Sequence, residues 1–163
     1  MGSSTFTLEQ TEAAYLAGFI DGDGSIRPFF ARDKRRYLLW IIKIKVSITQ
    51  RSADAHVLSW VKKVVGGGFI HISQKRDQVE WTLNGERQIR ELLPHLIPFL
   101  IVKKQRAIWA MKILTISNRH HEVASFIKAA KIAKLMRQAN SRTPKLSYID
   151  QVVKEVQERV VTP

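Results

Sequence analysis

The chain has 163 residues, of which 45% are hydrophobic and 25% charged, enough apolar material for a core. It has no cysteine, which excludes a disulfide scaffold, zinc–thiolate sites and thiol catalysis. Lysine and arginine number 27 against 14 acidic residues, a formal net charge of +13, and such an excess calls for a polyanionic partner, most often nucleic acid.

Thr7 to Ile20 reads as a helix, with Thr7 and Thr11 offering N-caps. Tyr15, Leu16, Phe19 and Ile20 form a bulky face that belongs in a core, while Ala14, Gly18 and Gly22 repeat at i,i+4 as a bare stripe. A bare stripe lets another backbone approach closely. The helix runs into "LAGFIDGDGS", Leu16 to Ser25. Glycine weakens a helix, and a carboxylate at a C-terminus opposes the helix dipole. Asp21 and Asp23 are hard oxygen ligands of the kind that suits Mg²⁺ or Ca²⁺. A tight turn built from Asp and Gly is the plainer account of the same residues.

Ser25 to Gln50 predicts a β-hairpin. Ile42, Ile44, Val46 and Ile48 alternate with Lys43, Lys45, Ser47 and Thr49, so one sheet face is apolar and the other polar. Pro28 places the earlier strand at an edge or bends it, and the turn carries "RDKRR", Arg32 to Arg36. A helix follows, capped by Ser52 or Asp54, with Val57, Leu58, Val61 and Val64 apolar and Gly66–Gly68 at its end. A second hairpin pairs Phe69–Ser73 with Val79–Leu83. Ile70, Ile72, Val79, Trp81 and Leu83 take the apolar role, and His71, Ser73, Glu80 and Thr82 face the other way. The remainder reads as helices over Glu86–Leu93, Pro98 to Ser117, Val123–Ala139 and Tyr148–Val160, with a basic loop at Ser141–Lys145. His120 and His121 are adjacent, so they do not converge on a metal and read as an exposed connection.

The order αββαββα with added C-terminal helices predicts an α+β fold. It is expected to form a single domain over 1–163, with residues 1–8 flexible and 140–163 forming a C-terminal loop and helix. A basic, polar sheet face can enter a DNA major groove, and loops bearing Arg142 and Lys145 can reach phosphates. No apolar run approaches the roughly 18 residues of a membrane span. No signal peptide, P-loop or dinucleotide fingerprint is visible, so neither a membrane nor a small-molecule substrate is expected.

"LAGFIDGDGS" resembles the signature of the LAGLIDADG homing endonucleases. Leu16, Ala17, Gly18, Asp21, Gly22 and Gly24 match it, and Asp23 stands at the catalytic acidic position. The resemblance covers about Thr11 to Ser147 and implies a site-specific, metal-dependent double-strand DNA endonuclease. The fold it implies has a saddle-shaped antiparallel sheet facing a long pseudo-palindromic target. One motif copy implies a homodimer joined through Ala14, Gly18 and Gly22. It implies Mg²⁺, replaceable by Ca²⁺ or Mn²⁺, held by Asp23 and the Gly22 carbonyl. Gln50 matches the residue that positions the attacking water, and Lys103, in "PFLIVKKQRA", matches the active-site lysine. DNA contacts fall on Arg27, Phe29, Asp33, Lys43, Lys45, Ser47, His71, Ser73, Glu80 and Thr82. Ser141, Arg142, Thr143 and Lys145 match the backbone-contacting loop. Asp54 departs from the family, which places a basic residue there; Arg51 lies three positions earlier. A maturase or DNA-binding regulator on the same fold is the alternative the resemblance leaves open. It also allows an organellar setting, chloroplast or mitochondrion.

Overall fold

The computed structural model describes residues 7–117, 122–141, 143–144 and 146–161. The elements run α1 (Gln10–Asp23), β1 (Gly24–Arg32), β2 (Trp40–Arg51), α2 (His56–Val65), β3 (Phe69–Ser73), β4 (Gln78–Leu83), α3 (Glu86–Leu96), α4 (Lys104–Ser117), α5 (Val123–Asn140) and α6 (Ser147–Val161). The four strands form one sheet in the order β1-β2-β4-β3. The mixed order expected from the hydrophobic periodicities is the one observed, and Pro28 sits in an edge strand, where a missing N–H is tolerated. Among the described residues no helix is long and apolar enough to cross a membrane.

The chain packs as two compact units. Among the described residues, one comprises residues 7–26 and 45–107, the other those of 27–44 and 108–161. In the first, β4 pairs antiparallel with β2, setting Ile48 against Trp81 and Ser47 against Thr82. It also pairs antiparallel with β3, setting Phe69 against Thr82 and His71 against Glu80. Directly paired residues share a face. Val46, Ile48, Val79, Trp81 and Leu83 are therefore together, buried with Leu58 and Val61 of α2 and Ile89, Leu92, Leu93 and Leu96 of α3. Trp81 keeps its indole N–H satisfied by donating to the Gly67 carbonyl at 3.0 Å. Gly66, at φ 68°, ends α2 in the left-handed conformation a helix stop favours.

The second unit is held by aromatic rings. Phe30 meets Phe126 and Tyr148 edge-on, and Trp40 meets Tyr148 the same way, with centroids 6.1–6.4 Å apart. Ala129, Ala130 and Ala133 let α5 and α6 close, and Lys134 bridges to Asp150 at 2.7 Å.

Several boundaries differ from the sequence expectation. α1 starts at Gln10 behind Glu9 with no side-chain cap, and it runs on through the glycines to Asp23. α3 continues past Pro94 to Leu96, since Pro94 itself is exposed and the helix resumes with Ile97 donating to Leu93. The helix expected from Pro98 begins only at Lys104, because Ile101, Val102 and Lys103 turn their N–H groups to another partner, described below. Ile72 is 63% exposed rather than apolar core, since β3 is an edge strand with one uncovered flank.

The junction from α1 into β1 depends on Gly24. A Cβ there would lie 2.6 Å from the Ile20 Cα and 2.8 Å from its carbonyl oxygen, both backbone atoms that cannot step aside. Gly24→Ala is expected to lower the unfolding free energy by about 2 kcal/mol, the usual cost of overpacking. A urea midpoint equal to that of the parent would show that the junction is not this tight.

Candidate functional site

The end of α1 gathers negative potential from three sources. Its last carbonyls lack helical partners, its dipole leaves negative potential there, and the sequence adds two carboxylates. α1 has no basic residue of its own in the last turn. The compensation comes from residues 97–103. Lys103, only 8% exposed, extends its ammonium to the carbonyls of Ile20 at 2.8 Å and Asp21 at 2.5 Å. In return the Asp21 carboxylate accepts the backbone N–H groups of Ile101 at 2.6 Å, Val102 at 3.1 Å and Lys103 at 2.8 Å. Each segment thus satisfies the other's unpartnered backbone groups.

The charges respond accordingly. Burial pushes the Asp21 carboxyl upward, but the N–H groups of Ile101, Lys103 and Val102 and the Lys103 charge outweigh it, so its pKa lies below the ordinary 3.8. Burial pushes Lys103 downward and the neighbouring Arg106 adds to this. The Asp21 and Asp23 charges oppose it, and the net is a pKa below that of an ordinary lysine.

Asp23 has a different position. It is exposed at the helix tip, and Gln50 Nε2 donates to its Oδ2 at 2.7 Å. Gln50 lies on the β2 face that carries Val46 and Ile48, opposite Val79. The side-chain amide orients one carboxylate oxygen. Gly22 precedes Asp23 and is exposed too. The sequence-predicted Asp23, Gln50 and Lys103 therefore gather at one helix end. Beside them, a Cβ added at Gly18 or Gly22 would find nothing within 4 Å, and Ala14 is exposed on the same stripe. Arg51 ends β2 and Asp54 closes the short turn before α2, both exposed.

The expected DNA-facing side chains fall in both units. In the first unit His71, Glu80 and Thr82 share the face opposite the core, as the register requires. Lys45 pairs with Glu80 at 3.1 Å. Ser47 is only 4% exposed. It pairs with Thr82 while Glu80 pairs with Thr49, so the Lys45–Glu80 bridge passes over it. Ser47 is thus removed from the accessible set. Ser73 sits half-buried at the end of β3. Phe69, absent from the expected set, is 71% exposed on this polar face. Its odd position in step with His71 and Ser73 was the available signal, as it was for Thr49. In the second unit Arg27 and Lys43 are exposed and Phe29 is half-buried. The Asp33 carboxylate is engaged within its own turn, where hydrogen bonds from the Arg35 side chain and backbone hold it below the usual range. Ser141 Oγ accepts the Thr143 N–H at 3.2 Å. Arg142, Lys145, His120 and His121 lie outside the described residues.

Asp23 and Gly22 offer one carboxylate and one carbonyl, hard oxygen donors suited to Mg²⁺ or Ca²⁺. Among the described residues no three His, Asp or Glu side chains cluster to enclose a metal. The donors therefore fit an open cation site completed by other oxygens, not a closed structural one.

The sequence model of the family described as LAGLIDADG endonuclease matches residues 16–115. A curated Neurospora crassa protein, "Probable intron-encoded endonuclease 3", is 26% identical over 109 residues, 64% of this chain but 20% of that protein. The DNA endonuclease I-CvuI of Chlorella vulgaris is 22% identical over 125 residues, 77% of each chain. The solved structure of I-CvuI with its target and calcium superposes with a TM-score of 0.79 at 20% identity, over 91% of this chain and 96% of that one. An archaeal intron-encoded homing endonuclease, I-Vdi141I, complexed with DNA, gives 0.80 at 17% identity, over 93% and 98%.

Asp21→Asn removes the charged acceptor of the 101–103 N–H groups and is expected to cost about 2–3 kcal/mol at pH 7. The folded-state pKa of Asp21 is depressed, so its contribution is present above the unfolded value of 3.8 and is lost as pH falls through the lower folded value. The stability gap between parent and variant should therefore narrow below about pH 4. Denaturant titrations at pH 7 and pH 3 that give the same gap would contradict this assignment of Asp21.

Proposed function

The chain belongs to the LAGLIDADG endonuclease family, and from that premise we propose that it cuts double-stranded DNA at a specific site, as a homodimer, with a divalent cation held at Asp23. The observation that carries the reading is the helix end. An exposed carboxylate is oriented by Gln50 beside a bare stripe where Gly18 and Gly22 have open space around them. The net charge of +13 supplies the attraction to phosphates.

Asp23 and the Gly22 carbonyl would hold the cation, which when bound supplies charge for the phosphate oxygens and a more acidic water. Gln50 keeps Asp23 Oδ2 in place and fixes the direction of the other carboxylate oxygen. Lys103 is committed through two of its three N–H donors to helix carbonyls. It locks the helix end and adds positive potential beside the acid. The Chlorella relative has been solved with DNA in both calcium and magnesium, which supports a divalent ion. The intron-encoded relatives support a role in intron homing. Arg27 and Lys43 in one unit, and Lys45, His71, Phe69 and Thr82 in the other, are the candidates for groove contacts. Asp54, an exposed acid where the family pattern is basic, favours a second reading, a DNA-binding maturase or regulator without cleavage.

Cleavage of a randomised DNA library with and without Mg²⁺ separates the two and returns the target. Asp23→Asn is expected to slow cleavage by roughly three orders of magnitude while binding survives. Metal-dependent cutting at the parental rate by this variant would remove Asp23 from the role. For the dimer, Gly18→Leu is expected to yield a folded monomer by sedimentation, since the bulk sits where a second helix must approach. A variant that keeps a dimer's mass would refute contact through this stripe.

A further inference from the structure

The second unit holds an arrangement that the cleavage chemistry does not use. The turn between β1 and β2, residues 33–39, carries the exposed cations Lys34, Arg35 and Arg36. Its ends are joined by the Asp33 N–H donating to the Leu39 carbonyl at 2.9 Å. Leu39 sits at φ 57°, a region a branched residue adopts only when its surroundings hold it there. An isolated hairpin end is pliable, so something must set this one.

Asp33 braces it from within, accepting from Arg35 and pairing with Arg36 at 3.5 Å, and α6 holds it from outside. On the helix-facing side of the hairpin, in step with Phe30 and Ile42, stand Arg32 and Trp40. One oxygen of Glu155, Oε2, accepts from Trp40 Nε1 at 3.0 Å and from Arg32 Nη2 at 3.2 Å. The Arg32 guanidinium lies 4.9 Å from the Trp40 ring centre, so the three groups form a closed clamp across both strands. One helical turn later, Arg159 Nε donates to the Tyr37 carbonyl within the turn itself, at 2.7 Å. Two residues four apart on one helix thus hold both strand ends and the loop they enclose.

We propose that Glu155, seconded by Arg159, is a positioning residue for target recognition. It fixes the attitude in which the 33–39 turn meets DNA without touching DNA itself. The proposal rests on the endonuclease reading above. Glu155 acts on Arg32 and Trp40, side chains of the opposite parity to Phe29 and Asp33, so its influence on base preference is indirect.

The test uses the full-length protein and the target recovered from the library. Binding and cleavage are measured on that target and on every single-base substitution of it. Lys34→Ala marks the base pairs that the turn senses. Glu155→Ala is expected to raise activity and affinity toward substitutions at those same base pairs by about tenfold, the size of one lost base-pair discrimination. Discrimination at the remaining base pairs is expected to stay within about twofold of the parent. Glu155→Gln keeps an acceptor for Trp40 but loses the charge facing Arg32, and should give a smaller change of the same pattern. Should Glu155→Ala fail to fold, the Gln variant and Arg159→Ala carry the comparison. An unchanged profile, or a loss spread evenly over all base pairs, overturns the positioning role. A parent that binds selectively but never cuts overturns the endonuclease reading, and the binding profiles still decide the role of Glu155. A parent that neither binds nor cuts overturns both.

Discussion

The exchange between Asp21 and Lys103 is the constraint on which the site depends. A carboxylate at a helix C-terminus faces the negative end of the dipole, and the final carbonyls there have no helical partners. Turning the Asp21 carboxylate onto three N–H groups of residues 101–103, and the Lys103 ammonium onto the last carbonyls, resolves both problems at once. The same exchange explains why Ile101, Val102 and Lys103 are not helical, since N–H groups committed to a side chain cannot also enter a helix ladder. It leaves Asp23 as the carboxylate that is not consumed by the architecture. Of the two acids in the motif, one is spent on holding the turn and the other is presented.

The sheet divides its labour in the same way. In the first unit the face opposite the core is polar but not uniformly available, because the Lys45–Glu80 bridge neutralises two of its charges and hides Ser47. Exposed surface on that face is left to His71 and, against compositional expectation, to Phe69. An apolar ring there can meet a thymine methyl, which lysines and hydroxyls cannot do as well. Under the proposed reading, a partly apolar face would give discrimination that charge alone does not, since phosphate attraction is indifferent to sequence.

Much of this was legible in the sequence because it rests on periodicity. Alternation from Ile42 to Thr49 places each side chain on its face, and from Val46 onward the register across β4 follows that pattern. The motif glycines were legible as a bare stripe on the helix, whereas Asp23 was set apart from Asp21 only by the resemblance to the family signature. What escaped were particular side-chain pairings between segments far apart in sequence. Nothing local to Ile101–Lys103 says that these N–H groups will serve the Asp21 carboxylate, 80 residues before Ile101. Ser47 obeys the alternation and is nevertheless covered, because the covering bridge joins strands far apart in sequence. Glu155 looks like any solvated acid on an amphipathic helix until Trp40 and Arg32 arrive beside it.

The economy of donors at Asp23 has a consequence for how such a site would behave. A magnesium ion demands near-octahedral coordination by six oxygens and gives up its water reluctantly. One carboxylate and one carbonyl supply a minority of these, so under the proposed reading the rest must come from water, from a second copy's helix end and from the DNA phosphate. Two carboxylates brought together at a helix pair repel without a cation between them. Cation affinity then rises when the two chains and the DNA are all in place, which couples metal binding to target recognition. A site that enclosed its metal unaided would be ready to hydrolyse any phosphodiester within reach. Under the proposed reading, a helix tip with a single oriented acid would become competent only in the assembly that also reads the sequence.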